Sequence, residues 1–281
     1  MDTSRITASI WPWGTQTRDQ MELAAKEVSA IGYHSFESVK AAIYAYDLDL
    51  AAYKEVCDRN DLQPVSFYFH LPQRADIDAF FSNIDNELEF IAKLGVKLIC
   101  LQATGQRPDP QNPRFMSAED KQWQLDVIGR FAENSQKFGI SSNLHPHRNT
   151  WVQYEDEIDY MLQNLDSKVL AFAPDTAHLV TGNCDPVEIV KRYADRVKFT
   201  HFKDITDPSK KVEGSLGMAS AGMEVFGDFC ELGTGIVDFR SVFDILKAAN
   251  YDGPLCAELD KAPISNVLSA KNNYEYLLKN Y

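Results

Sequence analysis

Short apolar or alternating runs recur eight times along the chain: ITASI (6–10), YHSFE (33–37), PVSFYF (64–69), VKLICL (96–101), ISSNL (140–144), VLAFA (169–173), VKFTHF (197–202) and PLCAEL (254–259). Each has the length and residue types of a β-strand. Between them, apolar positions return at helical spacing over 19–31, 47–60, 76–94, 118–138, 154–165, 238–249 and 266–279, with a further helix opening at Asp185-Pro186. An acid at the N-cap and proline at the first helical position mark that last start. Gly32, Gly95 and Gly139 close three of the helices, as a residue that tolerates left-handed backbone should. Eight strands alternating with eight helices predict an α/β fold, a (β/α)8 barrel, formed as one domain over residues 1–281. The rival is a doubly wound open sheet, which usually carries a glycine-rich turn after its first strand. Here that strand runs into WPWG, which is no phosphate cradle.

Composition narrows the partners rather than the fold. The net charge of −13 opposes binding to nucleic acid or an anionic membrane surface, both polyanions. Five cysteines, at 57, 100, 184, 230 and 256, form no Cys-x-x-Cys pair and fit a reduced, cytoplasmic setting. No run approaches the roughly 20 apolar residues of a membrane span, and the N-terminus has no signal-peptide pattern. The expected partner is a small molecule, and self-association is left open. Two long connections follow strands: 102–117, with Gly105, Pro108, Pro110 and Pro113, and 204–237, with glycines 214, 217, 222, 227, 233 and 235. In a barrel both lie at the C-terminal mouth, and the second is expected to act as a lid over a bound ligand.

The chemistry gathers where the strands stop. Glu37 ends the second, His70 follows the third, Gln102 the fourth, and the fifth runs into His145 and His147. Asp175 and His178 follow the sixth in PDTAH, His201 lies in the seventh in THFKD, and Glu258 in the eighth. Alone, each has an ordinary explanation: Asp175 after a proline would cap a turn, and a strand-end histidine is more often a hydrogen-bonded structural residue. Falling at the ends of consecutive strands five to eight, they predict one divalent-metal site of mixed nitrogen and oxygen ligands, suited to Mn, Co, Fe or Zn rather than Mg or Ca. His34, at the other end of its strand, is expected to be structural. Trp13, with Trp11 and Pro12, is either loop packing or an apolar wall against the C–H face of a sugar or cyclitol ring; the wall is preferred.

With PDTAHLVTGN, VKFTHFKD, LGTGIVDF and PLCAELD in view, residues 90 to 260 resemble the sugar isomerase–epimerase superfamily, the xylose isomerase-like TIM barrels. The inosose (2-keto-myo-inositol) dehydratase subgroup is the nearest in pattern. The resemblance implies metal ligands at Asp175, His201 and Glu258. The fourth family ligand is a Glu in a Glu-x-His-x-Gly-Thr pattern on strand five. Aligned on Thr150, His145 takes that place, His147 the following His, and Asn149 the glycine; His147 remains an alternative ligand. Lys203 matches a residue facing the substrate pocket, and Trp13, Glu37, His70 and Gln102 are further candidates for substrate contacts. Ketose epimerases of the superfamily use the strand-five Glu as one of two carboxylates, so a histidine there disfavours two-carboxylate epimerisation. The resemblance then implies a metal-dependent lyase or isomerase acting on a keto-sugar or cyclitol by enolate chemistry. His147 and His178 are its candidate acid and base, and Glu258 a ligand that also accepts a proton. The alternatives are aldose–ketose or epimer exchange, and a non-catalytic carbohydrate-binding barrel. Phosphodiester cleavage on the same fold is opposed by the acidic charge.

Overall fold

The computed structural model describes residues 3–107, 112, 114–212, 225–226 and 228–281. The eight apolar runs become eight parallel strands: β1 (Ile6–Ser9), β2 (Ser35–Val39), β3 (Gln63–His70), β4 (Leu98–Gln102), β5 (Ser141–His145), β6 (Leu170–Phe172), β7 (His201–Phe202) and β8 (Leu255–Ala257). They pair in chain order, with β1 joined to β8 and β8 to β7. Parallel bridges Phe172↔Val197 and Asp175↔His201 connect β6 to the seventh segment and close the ring. The strands read as near-continuous apolar runs because both faces are covered. Phe67, Phe69 and Phe202 point outward against Tyr53, Phe131 and Phe243 of the helical layer. Glu37, Tyr68, His145 and His201 point inward, where they touch one another across the barrel.

Among the described residues there are ten α-helices, α1 (Arg18–Ile31), α2 (Lys40–Ala45), α3 (Leu50–Arg59), α4 (Ile77–Lys93), α5 (Ala118–Lys137), α6 (Glu155–Asn164), α7 (Thr176–Thr181), α8 (Pro186–Arg192), α9 (Phe239–Ala248) and α10 (Asn266–Asn280). Eight match the expected ones. The helical pattern at 47–60 contracts to α3, because Asp47 and Leu48 take left-handed backbone and Asp49 caps Ala52 N. The single-turn helices α2 and α7 were not expected; each is too short for apolar periodicity to show. β2 runs two residues later than expected. Tyr33 donates its hydroxyl to Ala270 O and packs on Tyr274 instead of pairing. Of the long connections, Pro108, Pro110, Pro113 and glycines 214, 217, 222 and 227 lie outside the described residues, and with them most of the expected lid.

What is described of the second connection is held by Asp204, which is fully buried. Its carboxylate accepts from the amides of Ile205 (2.9 Å), Gly233 (2.9 Å), Gly235 (2.9 Å) and Val237 (3.2 Å). Gly235 is required there, because a Cβ would collide with the Asp204 carboxylate and the Ile205 carbonyl. The fifth connection is pinned by a buried ion pair. Arg107 meets Glu157 (2.5 Å) and donates to Thr150 O (2.8 Å), while Glu157 accepts from the amides of Gln153 and Tyr154. The loop after β5 is thereby fixed, and Asn149 within it adopts φ 62°. Left-handed backbone suits glycine, the residue the resemblance implies here, and asparagine is the next best tolerated.

Candidate metal and substrate site

Three of the expected ligands meet inside the mouth. Asp175, His201 and Glu258 each offer an atom within 4.8 Å of the others, and all three side chains are buried. His201 Nδ1 lies 2.7 Å from Glu258 Oε2 and 3.9 Å from Asp175 Oδ2. None of these three atoms makes a hydrogen bond. Asp175 does both things its sequence context suggested: Oδ1 caps α7 at His178 N (2.8 Å), while Oδ2 stays free and faces the site. The His145 ring lies 4.8 Å from the His201 ring, is fully buried, and leaves both nitrogens without a partner. Buried polar atoms are normally satisfied. Three such residues converging unsatisfied fit a cation of the N/O-ligated class, and His145 reaches this group through His201.

Glu37 lies beneath this group rather than on the open rim. Its Oε2 accepts from His201 Nε2 at 2.6 Å, and Ser66 donates to Oε1. A carboxylate there fixes a proton of His201 on Nε2 and turns Nδ1 toward Asp175 and Glu258, the orienting role such partners play behind metal-bound histidines. Burial pushes the His201 pKa down, but Glu258 and Glu37 outweigh it and hold the imidazole well above its usual range. For Glu258, burial acts upward, and His201 and Lys203 bring the carboxylate well below its ordinary value. Burial raises Asp175, partly offset by Lys203.

A second cluster adjoins the first. His145, His147 and His178 also offer nitrogens within 4.8 Å of one another, with the His147 and His178 rings 3.7 Å apart. Burial and the neighbouring positive charges hold all three neutral, His147 down to about 4. Lys203 is fully enclosed beside them. Its ammonium meets Asp260 Oδ1 (2.9 Å), Glu258 Oε1 (3.5 Å) and His178 Nε2 (3.1 Å). Cys100 lies within reach of His145 and His201, but burial raises its thiol pKa far above neutrality, so it offers no thiolate.

The remaining candidates separate by placement. His70 is exposed at the end of β3, and Gln102 is buried and accepts the Tyr68 hydroxyl. Tyr68 in turn lies against His145, His201 and Trp11. Trp13 is turned into the core, its indole donating to Glu27 (2.6 Å). The ring that reaches the histidine cluster through Tyr68 is Trp11, which is only half-buried. His34 is exposed at the opposite end, paired with Asp61. Asp260 was not singled out from sequence, although it stands two residues beyond Glu258 on the same inward alternation, a signal that was available.

This barrel belongs to the xylose isomerase-like TIM barrel family, whose model matches residues 25–279. A protein of Clostridium beijerinckii named inosose dehydratase is 27% identical, across 99% of this chain and 96% of its own. Two solved structures share the fold at 14% identity. The probable 3-DHS dehydratase AsbF of Bacillus anthracis superposes with TM-score 0.77 over 99% of this chain and 100% of its own. The IOLI protein, solved with a bound zinc atom, does so with TM-score 0.73 over 99% of both. The relatives are enzymes, and the chain is an enzyme of this family. Among the described residues no helix is long and apolar enough to cross a membrane.

Proposed function

We propose that this enzyme eliminates water from a polyhydroxylated keto compound of the cyclitol or keto-sugar class, using one divalent metal ion held by Asp175, His201, Glu258 and His145. The observation that carries the reading is the set of buried, unpartnered ligand atoms of these four residues. The dehydratase relative, alike over nearly its whole length, supports the choice of reaction. The zinc of the IOLI structure supports a metal of this class without fixing its identity. When bound, the ion supplies positive charge where negative charge develops on the ketone oxygen.

The chain's own groups divide the remaining work. Elimination takes a proton from the carbon beside the ketone, forms the C=C bond as the C–O bond breaks, and returns a proton to the departing hydroxyl, which leaves as water. His147, held neutral by its burial, is a base whose Nε2 lone pair is free at pH 7. His178 holds the departing hydroxyl through its N–H, and the proton taken by His147 returns to that hydroxyl, so that both rings end neutral. His70, at the open rim, and Gln102, just inside it, contact substrate hydroxyls, and Trp11 is better placed than Trp13 to meet a ring face.

Incubation with Mn, Co or Zn and 2-keto-myo-inositol is expected to generate enone absorbance. Clean aldose–ketose or epimer exchange without it would move the reaction to isomerase. A protein that is purified free of metal, and whose melting temperature ignores all three ions, would make the barrel a binder. Uptake of the ion costs His201 its Nδ1 proton. Because the His201 pKa is raised, affinity is expected to weaken as pH falls through and below that raised value, by about tenfold per unit for one displaced proton. Calorimetry in buffers of different ionisation enthalpy checks this, and an absence of proton release refutes it.

A further inference from the structure

The two neutral imidazoles that this reading uses as hydrogen-bond donor and base are not interchangeable, and their hydrogen bonds say which is which. His147 Nδ1 lies 2.8 Å from Arg148 O. A carbonyl oxygen only accepts, so Nδ1 carries the proton and Nε2 is a bare lone pair. His178 Nε2 lies 3.1 Å from Lys203 Nζ. Lys203 is fully buried, 2.9 Å from Asp260 Oδ1, 3.5 Å from Glu258 Oε1 and 3.8 Å from Asp175 Oδ2. Paired with Asp260, Lys203 is an ammonium, which has donors and no acceptor. His178 Nε2 must therefore accept, and Asp175 Oδ2 at 4.0 Å is too far to take a proton from it. The proton of His178 is left on Nδ1, a buried atom with no hydrogen-bond partner.

We propose that Lys203, anchored by Asp260, locks His178 as its Nδ1–H tautomer, so that the adjacent rings present a donor (His178 Nδ1–H) and an acceptor (His147 Nε2) in a fixed sense to the substrate. Lys203 and Asp260 are then positioning residues. Their use in elimination rests on the proposed function, while the tautomers rest on the hydrogen bonds alone. The same bond argues against a metal in the three-imidazole cluster, because His178 Nε2 is occupied and an ammonium stands beside it.

The test is two-bond 15N–1H correlation spectroscopy on metal-free, histidine-labelled protein near neutral pH, with His147→Gln and His178→Gln assigning the two signals. Both residues are expected to show the Nδ1–H pattern. In Lys203→Met, His178 is expected to shift to Nε2–H while His147 does not change; Lys203→Arg, which keeps a donor, retains the wild-type pattern. With 2-keto-myo-inositol, Lys203→Met is expected to lose about 10²-fold in kcat with KM within about threefold. A wild-type His178 carrying its proton on Nε2, or on both nitrogens, overturns the proposal even if no variant folds. Correct tautomers in a protein that turns over no inosose leave the tautomer lock standing and overturn the dehydratase reading instead.

Discussion

Glu258→Gln is expected to lower affinity for the divalent ion by about 10³-fold, on the order of 4 kcal/mol, and to abolish turnover at ordinary metal concentrations. The substitution preserves shape, so the loss follows from charge and donors. Glu258 Oε2 faces His201 Nδ1 at 2.7 Å and makes no hydrogen bond of its own. A carboxamide is neutral, and its nitrogen offers a cation no lone pair, so both the charge and a donor atom are lost. It also removes one of the carboxylates that balance Lys203. Glu37→Gln is the graded control. Its carbonyl oxygen can still accept from His201 Nε2, so the loss is expected to be about 10- to 100-fold, the usual size for an orienting partner. Competition against a chromophoric chelator measures both variants, with circular dichroism confirming the fold. Affinity of Glu258→Gln within about threefold of the parent would remove Glu258 from the ligand set.

The second large effect concerns stability. Asp204→Ala is expected to destabilise the protein by about 3–5 kcal/mol, roughly a 10 °C fall in melting temperature for a chain of this size. Its carboxylate satisfies four backbone amides in a fully buried setting, three of them brought from residues 233–237. Alanine strands all four, and each orphaned buried donor costs about 1–3 kcal/mol before relaxation or water recovers part of it. Asp204→Asn keeps one acceptor oxygen and should fall between. Thermal unfolding of the three proteins decides the matter; a loss below about 1 kcal/mol for alanine would mean that the LGTG turn holds itself. The THFKD segment thus carries a ligand candidate and a buried ammonium on one inward face, at His201 and Lys203, and a structural anchor at Asp204.

Much of this was legible from local pattern. Eight strand runs, the helices between them, and the glycines that end three helices all emerged at nearly their final places. So did the gathering of His145, His147, Asp175, His178, His201 and Glu258 at the ends of strands five to eight. Such features depend on side-chain period and on backbone preference, which neighbouring residues decide. α2 and α7 escaped because six residues do not display a period. Asp260 escaped although it continues the alternation of Glu258. The sequence does not say that an inward carboxylate there answers a buried lysine.

The chain alone determined an alternating α/β order, an acidic net charge, and the histidines and carboxylates that gather at one end of the barrel. Tertiary structure decided which of them meet. It set Glu37 against His201 Nε2 from 164 positions away, turned Trp13 into the core and left Trp11 near the mouth. It also gave His147 and His178 their opposite hydrogen-bonding senses. The reason is physical. Period and propensity act over a few residues, whereas burial, orphaned lone pairs and the nitrogen that carries a proton are properties of partners, and closing the ring of strands is what brings those partners together.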